Sequence, residues 1–300
     1  MSSSEGSKPQ TSHFLRHLRY AKFTRSYFVL SCLYGLSTLI VPFATQMLVN
    51  NLSLGGFWTN TYAFLLIVGA GVTFSLFIKY LQTVLLEFVQ RNLFFREISR
   101  WQRRAGPGQI NSPYLIEVFA ILKSFSAIVS EGVDLILRSL FGALALAFIH
   151  PAFLVVCALF IGSIAIIRWQ GRDAIATAKS ESHRKYEFFD RLVPAAHSQN
   201  GHLVYDFLQA RDEHFKIVRR QAVTTYASIL LLQMTLLSWG IYLIQINQLS
   251  IGQLVSAEII ISGITISYIN LPKLLRNVYD FETSCSKLEL EPSRTYEKAA

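Results

Sequence analysis

The chain has 300 residues, 52% of them hydrophobic and only 16% charged, with a mean hydropathy of +0.36 and a formal net charge of +9. Soluble domains carry about 25% charged residues, so this balance excludes an ordinary soluble protein. Three cysteines, Cys32, Cys157 and Cys285, fall at no metal-ligand spacing and build no disulfide framework.

Residues 1–12 are serine-rich and read as disordered. Residues 13–27 (HFLRHLRYAKFTRSY) alternate apolar and basic side chains at helical spacing, with Phe14, Leu18 and Ala21 on one face. Such a helix lies in the membrane interface. His13 and His17 are four apart, but no third ligand accompanies them. The segment has no apolar core followed by a cleavage site, so it is not expected to be a signal peptide. Six stretches then reach the length of ~20 apolar residues that crosses a bilayer: 28–49, 61–86, 132–149, 152–168, 225–247 and 252–271. Runs such as Leu30–Val49 and Ile229–Ile246 lack the polar face that a surface helix needs. The third and fourth spans are joined by His150-Pro151, and the fifth and sixth by Leu249-Ser250-Ile251-Gly252, so each pair is a tight hairpin.

The placement of charge gives orientation. Segments 1–27, 87–131, 169–224 and 272–300 carry five, six, nine and five Lys/Arg, whereas 50–60, 150–151 and 248–251 carry none. Positive charge marks cytoplasmic segments, which puts both termini and both long loops in the cytoplasm and makes nucleic acid unnecessary as an explanation. The long loops read as helices. Phe88, Phe95, Ile98 and Trp101 continue a stripe after the second span; Ile175, Ala178, Ser182, Tyr186, Phe189 and Val193 do so after the fourth; Val204, Leu208, Phe215, Val218 and Ala222 precede the fifth. Gly106-Pro107-Gly108, Asn111-Ser112-Pro113, Pro194 and Ser198-Gln199-Asn200-Gly201 break the loops midway. Each loop is a helical stalk out, a turn and a stalk back.

The architecture is thus an all-α membrane protein of three parts: a cytoplasmic segment 1–27, a six-span domain 28–271 with long cytoplasmic helical extensions, and a cytoplasmic tail 272–300. It resembles the transmembrane domain of type I ABC exporters. Residues 41–49 (VPFATQMLV) are similar to the end of that family's first helix, and 149–153 (IHPAF) to its hairpin between helices three and four. Residues 181–186 (ESHRKY), 207–215 (FLQARDEHF) and 251–258 (IGQLVSAE) look like segments of bacterial exporters that work with periplasmic adaptor proteins. The likeness covers about residues 14–290.

That resemblance implies a permease in a bacterial inner membrane, paired as a homodimer or heterodimer in the lipid bilayer. It implies a separate ABC ATPase subunit holding ATP and magnesium, and a periplasmic adaptor. It makes Ser112–Phe119 and Ala195–Val204 the stalk tips that dock on the ATPase. Ser112, Pro113, Tyr114, Glu117, Val118 and Phe119 at the first tip, with His197, Gly201 and His202 at the second, then carry coupling. The stretch Tyr186–Phe207 is shorter than the family's usual second tip. The sequence has no G-x-x-x-x-G-K-[ST] loop, binds no cofactor or metal by any motif, and offers no catalytic constellation, so it is not expected to be an enzyme. Leu249-Ser250-Ile251-Gly252-Gln253 resembles the ABC signature, but it sits in an external hairpin and reads as coincidence.

Charged groups inside spans are expensive and mark function or structural pairing. Glu258, two turns into the sixth span, either faces a pathway and attracts a cationic substrate or bonds a neighbouring helix such as the one bearing Gln233. Asp134 and Arg138, four apart at the start of the third span, are spaced to pair, and Lys79 is placed to snorkel to the interface. Pro42 should kink the first span and Pro272 should mark the end of the sixth. Gly35, Gly69, Gly71, Gly142, Gly162, Gly240 and Gly263 should permit close helix contacts. The competing functional class is an ATPase-less membrane scaffold or regulatory subunit; an ion-driven secondary transporter is a third, resting on Glu258.

Overall fold

A computed structural model describes residues 24–53, 59–105, 112–192 and 201–297; most of the interfacial segment 13–27, and His197, lie outside them. The regular structure of the described residues is helical, with the α-helices α1 (Thr24–Ser37), α2 (Ile40–Ser53), α3 (Thr59–Ala105), α4 (Ser112–Ala127), α5 (Val133–Ile149), α6 (Leu154–Gln170), α7 (Ala174–Leu192), α8 (Gly201–Gln245), α9 (Ile251–Tyr268) and α10 (Leu271–Glu297). Six segments are long and apolar enough to cross a membrane: Arg25–Ser53, Tyr62–Ser99, Leu115–Ile149, Pro151–Gln170, Val204–Gln245 and Ile251–Lys287. At 1.5 Å per residue, the 47-residue α3 and 45-residue α8 run ~70 Å, more than twice the ~30 Å hydrocarbon layer. Their excess length is the stalk.

Side chains such as Leu66 (74% exposed), Met47 (69%) and Phe148 (84%) point outward along the apolar segments. Water would penalise so continuous an apolar surface; acyl chains would not. Inside, two large clusters divide the bundle by height. The hairpin end is held by Leu146 (α5), Phe153 and Val156, Leu236 (α8), and Ala257 and Ile260 (α9). The stalk end is held by Tyr27 (α1), Val89 and Leu93 (α3), Ile121 and Phe125 (α4), and Phe281 and Cys285 (α10). Between them, α9 packs on α2, α5 and α8, whereas α10 packs on α4, α7 and α8.

The first and sixth spans are each broken, and proline explains both breaks. Pro42 is the third residue of α2 and cannot donate to the carbonyl of Thr38. The kink expected at Pro42 therefore falls before it, at Thr38–Leu39, where the Ser37 and Thr38 hydroxyls bond back to Tyr34 O and Gly35 O at 2.8 and 2.7 Å. Pro272, second in α10, likewise cannot bond Tyr268. The chain turns at Ile269–Asn270, and Asn270 Nδ2 donates to Ile266 O at 3.3 Å. Pro272 does not end the helical run, since α10 continues to Glu297. The third span carries a π-helical turn, Ile128–Gly132, between α4 and α5, which shifts the facing of everything after it.

The hairpins are capped as their residues require. His150 Nδ1 accepts from Ala152 N at 3.2 Å, and Pro151 starts a 3₁₀ turn where no N–H is needed. Asn247 adopts φ 57°, the left-handed conformation asparagine tolerates. Gln248 N bonds Leu243 O and Asn247 N bonds Ile244 O, both at 2.9 Å, which is a Schellman closure of α8. Ser250 then caps α9, its hydroxyl accepting from Gln253 N and Gln253 Oε1 accepting from Ser250 N. The signature-like run 249–253 is thus a helix start. Gly252 is needed there: a Cβ would lie 2.6 Å from the backbone oxygen of Gln46 and 2.4 Å from Asn50 Oδ1. Gly35, Gly71, Gly142 and Gly240 likewise admit neighbouring side chains. Gly69, Gly162 and Gly263 meet nothing within 4 Å, so the close contacts expected of them are absent among the described residues.

Candidate functional site

Polar side chains gather at three heights. The highest is Glu258, on α9 seven residues from its start at Ile251, ~10 Å along the helix. Gln233 Nε2 on α8 donates to Glu258 Oε1, and Ser262 Oγ lies 3.5 Å from the same oxygen. Glu258 Oε2 is enclosed and has no hydrogen-bond partner among the described residues. The structure therefore joins Glu258 to Gln233 yet leaves half of the carboxylate unsatisfied. An enclosed oxygen without a donor is costly, so this position has capacity for a further donor or cation. Nearby, between α5, α6 and α9, an apolar cleft of ~200 Å³ is lined by Leu140, Ala143, Cys157, Phe160 and Tyr268. It exists because α6 packs mainly on α8 while α5 packs on α9 and α1.

At mid-height, Lys79 (α3) donates to Asp134 (α5) at 2.8 Å. Arg138 donates to the Tyr34 hydroxyl at 2.6 Å. The spacing-based Asp134–Arg138 pair is thus replaced by a cross-helix one, because α5 presents Asp134 to α3; Lys79 reaches Asp134 instead of snorkelling free. One turn earlier, Glu131 in the π-helical turn accepts from Lys273 of α10 at 2.8 Å.

The stalk end holds a buried polar network that the sequence reading missed. Lys287 (α10) bonds Glu117 (α4) at 3.0 Å and also Ser182 (α7). His214 Nδ1 (α8) lies 2.5 Å from Glu181 Oε2 (α7). Gln221 Nε2 donates to the Tyr279 hydroxyl at 2.9 Å and to Ile167 O at 3.3 Å. The signal was present in the register: His214, Gln221 and Thr225 share the face of Val218, and polar residues recurring on an apolar stripe predict partners of their own.

The tip residues are placed less uniformly than the resemblance implies. Ser112, Pro113 and Tyr114 open α4, and Gly201 and His202 open α8; their side chains, like His197 as a whole, lie outside the described part. Glu117 and Val118 turn into the bundle, at 6% and 0% exposure, and Glu117 is spent on Lys287. Phe119, 58% exposed and 5.6 Å from the Phe94 ring centroid, faces outward. The helix α4 runs straight into the stalk core, so its register alternates outward-facing and packing positions.

No protein-family model and no curated protein matches the sequence. Among solved structures, the chain is similar to a bacterial Atm1-family ABC exporter with ATP bound. The TM-score is 0.61 at 14% identity, over 91% of this chain and 54% of that one. The chain therefore spans about half the length of the exporter it matches, and at this identity the likeness concerns the fold. The chain has the fold of an ABC exporter transmembrane domain, with six membrane-length helices and no strand among the described residues.

Proposed function

We propose that this chain is the membrane-spanning permease subunit of an ABC exporter in a bacterial inner membrane, with both termini cytoplasmic. The observation that carries this reading is the exporter fold over 91% of the chain, stalks included. The 25-to-none division of Lys/Arg between alternate segments supports the orientation. Two copies, or one copy and a related chain, enclose the pathway. ATP and magnesium are held by a separate ATPase subunit that docks on the stalk tips near Tyr114 and Phe119 and near His202. Alternation between inward-open and outward-open bundles carries substrate across. Glu258 and Gln233 supply the polar position in the pathway, where the unpartnered Oε2 receives a cationic or hydrogen-donating group. A periplasmic adaptor completes the export route.

The test is affinity purification of the detergent-solubilised protein, followed by ATPase assay of what co-purifies. An ABC ATPase that is released by Tyr114→Glu is the expected result. Purification without any ATPase or nucleotide-dependent activity would overturn the permease reading in favour of a scaffold or regulatory subunit.

A further inference from the structure

Two cations and one carboxylate meet where α1, α3 and α5 converge. Lys79 Nζ is 2.8 Å from Asp134 Oδ2 and 4.9 Å from the centroid of the Tyr34 ring. Arg138 Cζ is 5.1 Å from the same ring, and its Nη2 donates to the Tyr34 hydroxyl. Asp134 is thereby consumed by Lys79, and Arg138 is left with a phenol and a π face. Its Nε is enclosed and has no acceptor among the described residues. A guanidinium has five donors in a planar fork suited to carboxylate or phosphate oxygens. The cluster as a whole carries one uncompensated positive charge inside a membrane-length segment, where such charge is expensive unless an anion meets it.

The position indicates what that anion is. Asp134 is the second residue of α5, and Arg138 lies four residues, ~6 Å, further toward the hairpin end. Counting back ~20 residues from Ile149 reaches the region of Glu131. Asp134 therefore lies ~5 Å and Arg138 ~10 Å inside the edge of the hydrocarbon layer on the stalk side, a depth from which long cationic side chains reach the headgroup level. The cluster is not sealed, because the Lys79 side chain is 40% exposed. Leu76 and Tyr80 on α3 are 66% and 64% exposed beside it, giving an apolar surface for a tail. A headgroup phosphate at this depth meets Arg138 and Lys79 while its chains lie along these side chains.

We infer that Arg138, with Lys79 and Tyr34, forms a binding site for the phosphate headgroup of an anionic phospholipid in the stalk-side leaflet. The inference rests on the reading of the chain as membrane-spanning, but not on any ATPase partner. Free phosphate shares the chemistry, so the experiment must separate the two sources. The purified chain in a neutral detergent is titrated with phosphatidylglycerol, phosphatidylcholine or inorganic phosphate, and bound lipid is counted by native mass spectrometry. Wild-type protein should retain phosphatidylglycerol over phosphatidylcholine. Arg138→Gln should weaken phosphatidylglycerol about five- to tenfold, the loss of one headgroup-facing cation. Lys179→Gln, which removes an exposed cation of α7 outside the cluster, should stay within about twofold of wild type. Arg138→Lys should restore part of the binding if Arg138→Gln proves too unstable to purify. The inference is overturned if wild type does not discriminate the two lipids, if Arg138→Gln binds as wild type, if Lys179→Gln loses as much as Arg138→Gln, if Arg138→Lys restores nothing, or if inorganic phosphate competes the lipid away. The permease reading would survive each of those results, since co-purification of an ATPase is a separate measurement.

Discussion

The stalk end and the hairpin end of the bundle treat polar groups in opposite ways. At the stalk end and just above it, ionisable side chains are paired across helices: Lys287 with Glu117, Glu181 with His214, Lys273 with Glu131. At the hairpin end, polarity is spent on the backbone, through the Schellman closure at Asn247, the capping box of Ser250 and Gln253, and the cap of His150. Glu258 is the exception there, a carboxylate with an amide and a distant hydroxyl for company. Pairing of charges holds helices together where water is near. In the apolar slab an ion pair must repay full desolvation, so toward the hairpin end the bundle relies on packing, and the unpaired oxygen of Glu258 stands out.

Replacing Lys287 with alanine is expected to have the largest effect, because it removes the cation that ties the buried Glu117 of α4 and Ser182 of α7 to α10. The cost should be ~3 kcal/mol, read as a lowered unfolding midpoint in detergent. The double variant Lys287→Ala/Glu117→Gln should recover most of it; if it recovers nothing, the stalk end is not held by pairing and the contrast fails. Gly252→Ala tests the hairpin end. Its methyl meets a backbone oxygen that cannot swing aside, so α2 and α9 must separate, at a cost of ~2 kcal/mol. An unchanged midpoint would mean that close approach is not what joins these helices.

Glu258→Gln sharpens the contrast further. The amide keeps the bond to Gln233, so stability should move by no more than ~1 kcal/mol. Nucleotide-dependent transport of a cationic probe in proteoliposomes should fall. Loss of stability with transport unchanged would return Glu258 to a structural role. The smallest effect belongs to Gly162→Ala, whose methyl meets nothing within 4 Å: a change within ~0.5 kcal/mol. A large loss would indicate that this face is covered by another chain.

Much of the molecule was legible in the sequence because its signals are local. Six apolar runs, the Lys/Arg asymmetry and the helical stripes fixed the span number and the presence of stalks. Two short hairpins fixed which spans adjoin, and the Glu258–Gln233 contact was among the alternatives read from composition. What escaped depended on rotation and facing. Asp134 and Arg138 have the spacing of a pair, yet α3 and α5, both packed on α1, bring Asp134 to Lys79. Glu117 and Val118 sit in a tip segment by position, yet α4 turns them inward onto α10. Pro42 and Pro272 announce breaks, but each bend falls two to four residues earlier, next to the carbonyl that lost its partner. By itself the sequence determined how many membrane-length apolar segments there are and which segments carry charge, since hydrophobic length and charge are properties of single segments. Which charge meets which, and which are left over, was decided by tertiary packing alone, because a helix face has no meaning until a neighbour occupies it.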